Sequence, residues 1–370
     1  MQIITLPQRL SSYDFGFYVG FELRLKLMDV LKAAGFDPMS MVEKEWYDKF
    51  LVLLLSECPS YVEELRGMAD GAGVLFEVLL RFNLPELTWV RERELKMSGG
   101  NEASSINVDK KCTTLACESG SGGHNGAAQF MIAHNEDGED YDELFVFKGI
   151  LPSGRLVISC SYVGKLLGFS GSVVLESDVH DVPFFMVNTN LRCIDEGLGR
   201  PKVFVLREML DLGTIEKCCT LLQVKRASGQ HYLFAQGTQV VSVEASATKF
   251  EVKEVAGPFV HTNCYVNPTM LCFERRVRDE EGTFLRQTKA SELMKAGGGL
   301  CGDVSDGLKV MSSFLTILSC HDDRPSCICA HGSPDYNKTI GVIVYDSTFL
   351  GLRVGAGVTC KAVLVDVGWG

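Results

Sequence analysis

The chain has 370 residues and a mass of 40.7 kDa, which suits two domains or one large layered domain. With 46% hydrophobic against 22% charged residues, a sizeable core is available and global disorder is excluded. A net charge of -11 and a pI near 5.2 argue against the basic face that a nucleic-acid partner requires.

The longest purely apolar run is Phe50–Leu55, far short of the roughly 20 residues of a spanning helix, so no membrane partner is expected. The N-terminal residues lack a basic stretch and a long apolar stretch, so no secretory signal is expected. The 14 cysteines then read as reduced thiols of a cytoplasmic protein.

In chain order, residues 12–89 are rich in Leu, Met, Glu and Lys and predict helices. Pro59 fits a first-turn position, and Val62, Leu65, Met68 and Ala69 follow at helical spacing. Residues 15–27 alternate at period two, yet helix is the expectation. Residues 96–111, KMSGGNEASSINVDKK, form a polar linker of the kind where chains are cut or domains joined.

Beyond Lys111 the texture changes to short strands. They are expected at 127–133, 144–147, 156–160, 184–187, 240–243 and 341–345. Helical stretches interrupt them at about 201–224 and 286–318. Strands in runs with helices grouped between them predict stacked sheets with helices outside.

Common signatures are absent: no Walker A sequence, H-E-x-x-H, G-x-S-x-G or C-x-x-C occurs. GGGLCG at 297–302 fits G-x-G-x-x-G but follows a helical stretch, so a helix cap and turn is the better reading. Cys320, His321, Cys327, Cys329 and His331 cluster in sequence. On a strand, Cys327, Cys329 and His331 would share one face and could offer zinc three ligands, though alternating cysteines equally describe a buried face. Cys218 and Cys219 read as core.

Cys112 stands where the polar linker meets the first strand, behind Lys110 and Lys111, whose charges favour thiolate. Two downstream segments, His134-Asn135-Glu136-Asp137 and Val260-His261-Thr262-Asn263, bring polar groups immediately after short apolar runs. Such positions hold catalytic residues or simple polar turns, and composition does not separate the two.

Taken together, Cys112-Thr113-Thr114, Asn135-Glu136-Asp137 and Val260-His261-Thr262-Asn263 resemble the acyl-coenzyme A:6-aminopenicillanic acid acyltransferase family of N-terminal nucleophile (Ntn) hydrolases. The helix 61–72 and the segment 325–329, followed by a strand at 340–346, extend the likeness over about residues 12–360. The resemblance implies an α+β fold, a four-layer αββα sandwich with an N-terminal helical segment. It implies a precursor whose self-cleavage exposes Cys112 as nucleophile with its own α-amine as base, which is sound chemistry for an amine titrating near 7.7–8.0. Asp137 would orient that amine, and Asn263 would donate to the oxyanion.

On this reading residues 1–111 are a pro-segment or small subunit and 112–370 the hydrolase core. The enzyme would be a cysteine-dependent amidohydrolase or acyltransferase working through a thioester. Its partners would be a small acyl amide or thioester and its own N-terminal fragment. No cofactor is implied, although acyl-coenzyme A is a conceivable co-substrate. The alternative is an inactive relative that binds or scaffolds. The chain departs from the family at Lys111, where Gly is frequent. It also has Ala330 and His331 where an arginine often follows the Ile-Cys pair.

Overall fold

Two helices meet through glycines on both sides. In α1 (Ser12–Ala34), capped by the Ser11 side chain, Phe15, Val19, Leu23 and Leu27 form the buried stripe. Phe17, Phe21 and Leu25 lie on the exposed side, so two apolar stripes on one helix produce the apparent period-two alternation. Gly16 and Gly20 face α3 (Pro59–Ala72), whose Gly67 and Gly71 face back. A Cβ at Gly16 would lie 1.8 Å from the Glu64 carbonyl oxygen, and one at Gly67 would lie 1.9 Å from that of Tyr13. No side chain fits at either position.

The computed structural model describes residues 1–97, 112–120, 129–178, 181–275, 281–296, 307–322, 327–333 and 336–369. The chain opens with β1 (Gln2–Leu6) ahead of α1, and α2 (Met41–Glu57) precedes α3. Next come α4 (Phe76–Phe82) and α5 (Leu87–Met97), whose last two residues begin the stretch read as linker. The rest of that stretch, and Lys111 itself, lie outside the described residues.

The strands follow as β2 (Cys112–Gly120), β3 (Gln129–Gly138), β4 (Leu144–Ile150), β5 (Leu156–Tyr162), β6 (Ser170–Leu175) and β7 (Phe184–Leu191). After α6 (Lys202–Leu212) and α7 (Ile215–Leu221) come β8 (Gly229–Gln236), β9 (Gln239–Ala245), β10 (Phe250–Glu254) and β11 (Phe259–His261). Then α8 (Glu281–Ala296) and α9 (Gly307–Leu318) precede β12 (His331–Ser333), β13 (Tyr336–Asp346), β14 (Gly351–Ala356) and β15 (Val365–Gly368). The stretch 286–318 is thus two helices, and the GGGLCG sequence between them lies outside the described residues.

One sheet runs β1-β4-β5-β6-β7-β8-β9-β10; the other runs β11-β2-β3-β13-β14-β15, with β12 beside β13. Their inner faces pack together: Phe185 stacks on Tyr345 at 4.3 Å, and Gly171 admits Ile343. The outer face of the first sheet carries the N-terminal helices, with Phe15 edge-on to Phe147 at 5.2 Å. There Arg207 of α6 and Glu64 of α3 form a buried ion pair at 2.9 Å.

The outer face of the second sheet, with Leu115, Met131, Ala133, Val342 and Val344, packs against Ala290 and Met294 of α8 and Val310, Phe314 and Ile317 of α9. The molecule is an α+β sandwich layered αββα, as the resemblance implied. Among the described residues no helix is long and apolar enough to cross a membrane.

Candidate active site

Strand pairing places Cys112, the first residue of β2, opposite Glu136 of β3. Alternation then sends neighbouring side chains to opposite layers. Glu136 points between the sheets, whereas Asn135 and Asp137 face the helices of the outer layer, as their partners show.

The Cys112 thiol lies 3.5 Å from Glu136 Oε1. That carboxylate is fully engaged: Tyr162 donates to Oε1 at 2.6 Å, Ser170 donates to Oε2 at 2.5 Å, and His134 Nε2 stands 3.1 Å from Oε2. Burial would raise the Glu136 carboxyl, but His134, Ser170 and Tyr162 outweigh it and hold it below its ordinary value.

Asp137 has fewer partners. Thr339 donates to its Oδ1 at 2.6 Å, while Oδ2 is buried without a hydrogen bond. Burial pushes this carboxyl up to about 6, against the pull of the Arg286 guanidinium.

The main chain of Cys112 is clamped at both ends. Its N–H donates to Asn263 Oδ1 at 2.8 Å, and its carbonyl accepts from Arg286 Nη1 at 2.8 Å. Arg286 Nη2 also donates to Asn263 Oδ1 at 3.0 Å, so two donors meet at the amide oxygen. The amide nitrogen of Asn263 consequently turns to the Asn190 carbonyl, at 3.1 Å. In this arrangement it is a donor on the far side of the amide from Cys112, which bears on the oxyanion role implied for it.

Cys112 as a whole residue is 2% exposed. Burial drives it well above an ordinary thiol, and Glu136 and Asp137 add to that; the Asp137 backbone amide and Arg286 act against it. Such a thiol is held protonated.

Arg286 escaped the sequence reading. It supplies a guanidinium beside Cys112 although no arginine follows Cys329, and it does so from α8, 174 positions further along the chain. Tyr162 and Ser170 were also missed, since neither lies near a recognisable motif. Arginine in a helical stretch between apolar residues at 284–285 and 290 was the only available signal.

A cleft beside the site is lined by Trp89, Phe169, Asn190, Arg192, Lys202 and Arg275, among others. Cys112 does not line it; Asn190, through its carbonyl, connects the two.

Among the described residues, two groups of side chains have ligand atoms mutually within 4.8 Å and could hold a metal. One is Cys112, His134 and Glu136, whose carboxylate is already committed to protein donors. The other is His321, Cys329, His331 and Cys360. On a strand, Cys327, Cys329 and His331 would have formed either a zinc-binding face or, equally, a buried one. Residues 327–330 form a bend and not a strand, and Cys327 Sγ turns to the Cys329 carbonyl at 3.1 Å.

No protein-family model matches the chain, and no curated protein matches it by sequence. Among solved structures it is similar to a mutant of the conjugated bile acid hydrolase from Clostridium perfringens, at 11% identity and a TM-score of 0.45, covering 69% of this chain and 92% of that one. A second variant of that hydrolase aligns at 9% identity and a TM-score of 0.37, covering 70% and 84%. At these values the likeness carries no statement about residues or chemistry.

Proposed function

We propose that the protein is a cysteine-dependent amidohydrolase or acyltransferase of the N-terminal nucleophile type, with Cys112 exposed by self-cleavage. The observation that supports this reading is the two-ended clamp on Cys112, with Asn263 on its N–H and Arg286 on its carbonyl. The clamp brings one side chain from just past the end of β11 and another from α8 onto the main chain of this single residue.

In the intact chain the thiol is proton-bound and the nitrogen is a non-basic amide. For scission, Cys112 Sγ attacks the Lys111 carbonyl, the Lys111–Cys112 C–N bond breaks, and the nitrogen gains a proton as a free amine. Water then hydrolyses the resulting thioester, releasing the Lys111 carboxylate and the thiol. The new amine can accept the thiol proton, and as an ammonium ion beside Glu136 and Asp137 it offsets the charges that raise the thiol.

A substrate acyl group then passes to sulfur, its leaving group takes the proton, and water or an amine resolves the thioester. The cleft at Asn190 is where such a substrate would lie, and Asp137 with its unsatisfied oxygen is the group that would orient the amine.

The test is intact mass with N-terminal sequencing after prolonged incubation, beside Cys112→Ala. Two fragments, the larger beginning at Cys112 and absent from the Ala variant, are expected. A second reading, an idle relative that binds or scaffolds, draws on the buried, carboxylate-flanked thiol. A single full-length species with Cys112 unreactive toward acyl-type thiol reagents would favour it and overturn the first.

A further inference from the structure

Away from Cys112, three chain segments bring soft ligands to one point. His321 follows the end of α9, Cys329 and His331 flank the start of β12, and Cys360 lies in the short 3-10 turn Thr359–Lys361 after β14. His321 Nε2 and His331 Nε2 stand 3.0 Å apart, and His331 Nε2 is 3.2 Å from Cys360 Sγ. All four ligand atoms lie within 4.8 Å of one another. A tetrahedron around zinc with Zn–S of about 2.3 Å and Zn–N of about 2.0–2.1 Å has edges of about 3.3–3.8 Å, so small side-chain movements close this group around an ion.

We infer that His321, Cys329, His331 and Cys360 form a Cys2His2 zinc site. Four protein ligands leave no open position, which makes the site structural and not hydrolytic. Zinc fits better than calcium or magnesium, which demand oxygen ligands.

The segments it joins are those that support β3 beneath the nucleophile. Asn135 donates to the carbonyls of Leu318 and Ile328 at 2.8 and 3.1 Å and accepts from Thr359. The Ala330 N–H donates at 3.0 Å to Thr339 Oγ1, which in turn donates to Asp137. The Cys329 N–H donates to the Cys320 carbonyl at 3.0 Å. Zinc would therefore brace the ends of α9, β12 and the 3-10 turn against one another, and through Thr339 and Asn135 it would steady Asp137.

The experiment needs no turnover, so its outcome is separate from that of the cleavage test. Full-length protein produced with added zinc is desalted under reducing conditions, and its metal content is measured. About one zinc per chain is expected for a four-ligand site. Cobalt(II) added to the chelator-stripped protein should give the intense visible absorption of a tetrahedral thiolate site.

Cys360→Ser and His331→Asn, both at exposed positions, should each weaken cobalt binding by more than the roughly 10–100-fold that follows loss of an outer partner alone. Cys272→Ser, an exposed cysteine elsewhere, should bind as the parent does. Readding zinc to stripped parent protein should raise its melting temperature, and should not do so in Cys360→Ser. Substoichiometric zinc with no tetrahedral cobalt spectrum would overturn the site. So would full binding in both ligand variants, or a Cys329–Cys360 disulfide in the reduced preparation.

Discussion

Glu136 and Asp137 are consecutive on one strand, yet they sit in different layers and meet opposite fates. Between the sheets, Glu136 collects donors from β5, β6 and β3 itself and is held ionised despite burial. On the helical side, Asp137 has one hydroxyl and a nearby guanidinium, keeps an unsatisfied oxygen, and is raised to about 6. The difference teaches that burial alone does not decide a carboxylate's state; the number of donors does. One of the pair is a finished structural anchor. The other retains capacity for a further donor, such as a newly formed amine.

The strongest way to break this comparison is to remove the charge that steadies Asp137. Arg286→Ala leaves the buried Asp137 without its neighbouring positive charge and takes one donor from the Cys112 carbonyl and one from Asn263 Oδ1, and should cost about 3–5 kcal/mol in denaturant unfolding. A loss under about 1 kcal/mol would show that Arg286 does not hold the site together. Next, Glu136→Ala removes the carboxylate that Tyr162, Ser170 and His134 share, and should cost about 3 kcal/mol.

The pH dependence separates the two carboxylates by sign. Asp137 has a folded value of about 6 against an ordinary 3.8, so between those limits the native state binds more protons than the unfolded chain. Its contribution is therefore fully present at the acid end and is lost as pH rises through about 6, by up to about 3 kcal/mol. Glu136, held below its ordinary value, contributes above the unfolded carboxylate range and is lost as pH falls. Melting curves at several pH values should show Asp137→Asn removing the stability decline between about pH 4 and 6. An unchanged slope would place that decline elsewhere.

The smallest effect is the sharpest. Thr339→Val removes one donor to Asp137 and one acceptor for the Ala330 N–H, and should cost about 1–2 kcal/mol. Because the lost donor favoured the charged form, the Asp137 midpoint should move further upward in the same pH series. A downward movement would contradict the account of why it is raised.

Much of the layering was legible because it rests on local pattern. Pro59 opens α3 as its position predicted, and the runs at 144–147, 156–160, 184–187 and 341–345 all fall within strands. Less legible were β1, only five residues long, and β8, where Gln230, His231 and Tyr232 interrupt the apolar run and are buried against partners from other strands.

At the site, sequence order pointed to Cys112, Asp137 and Asn263, and the structure brings the first and last within one hydrogen bond. Arg286, Tyr162, Ser170 and Cys360 were invisible for a common reason. Each reaches its partner across layers or from a distant loop, and no local spacing encodes that. Cys360 shows the point best, since the sequence cluster drew the eye to Cys327 instead.

β1 has a consequence for any chain severed after Lys111. It lies parallel to β4 at the edge of the larger sheet, pairing from Gln2–Phe145 to Leu6–Gly149. The short piece would thus remain threaded into the long one as a guest strand, sharing its backbone ladder as well as its apolar surface. Produced alone, residues 112–370 would present β4 as a raw sheet margin, open to the first extended peptide that met it. The two pieces are complements in the manner of a donated strand, and a synthetic peptide spanning β1 would be a competitor for the place its own chain occupies.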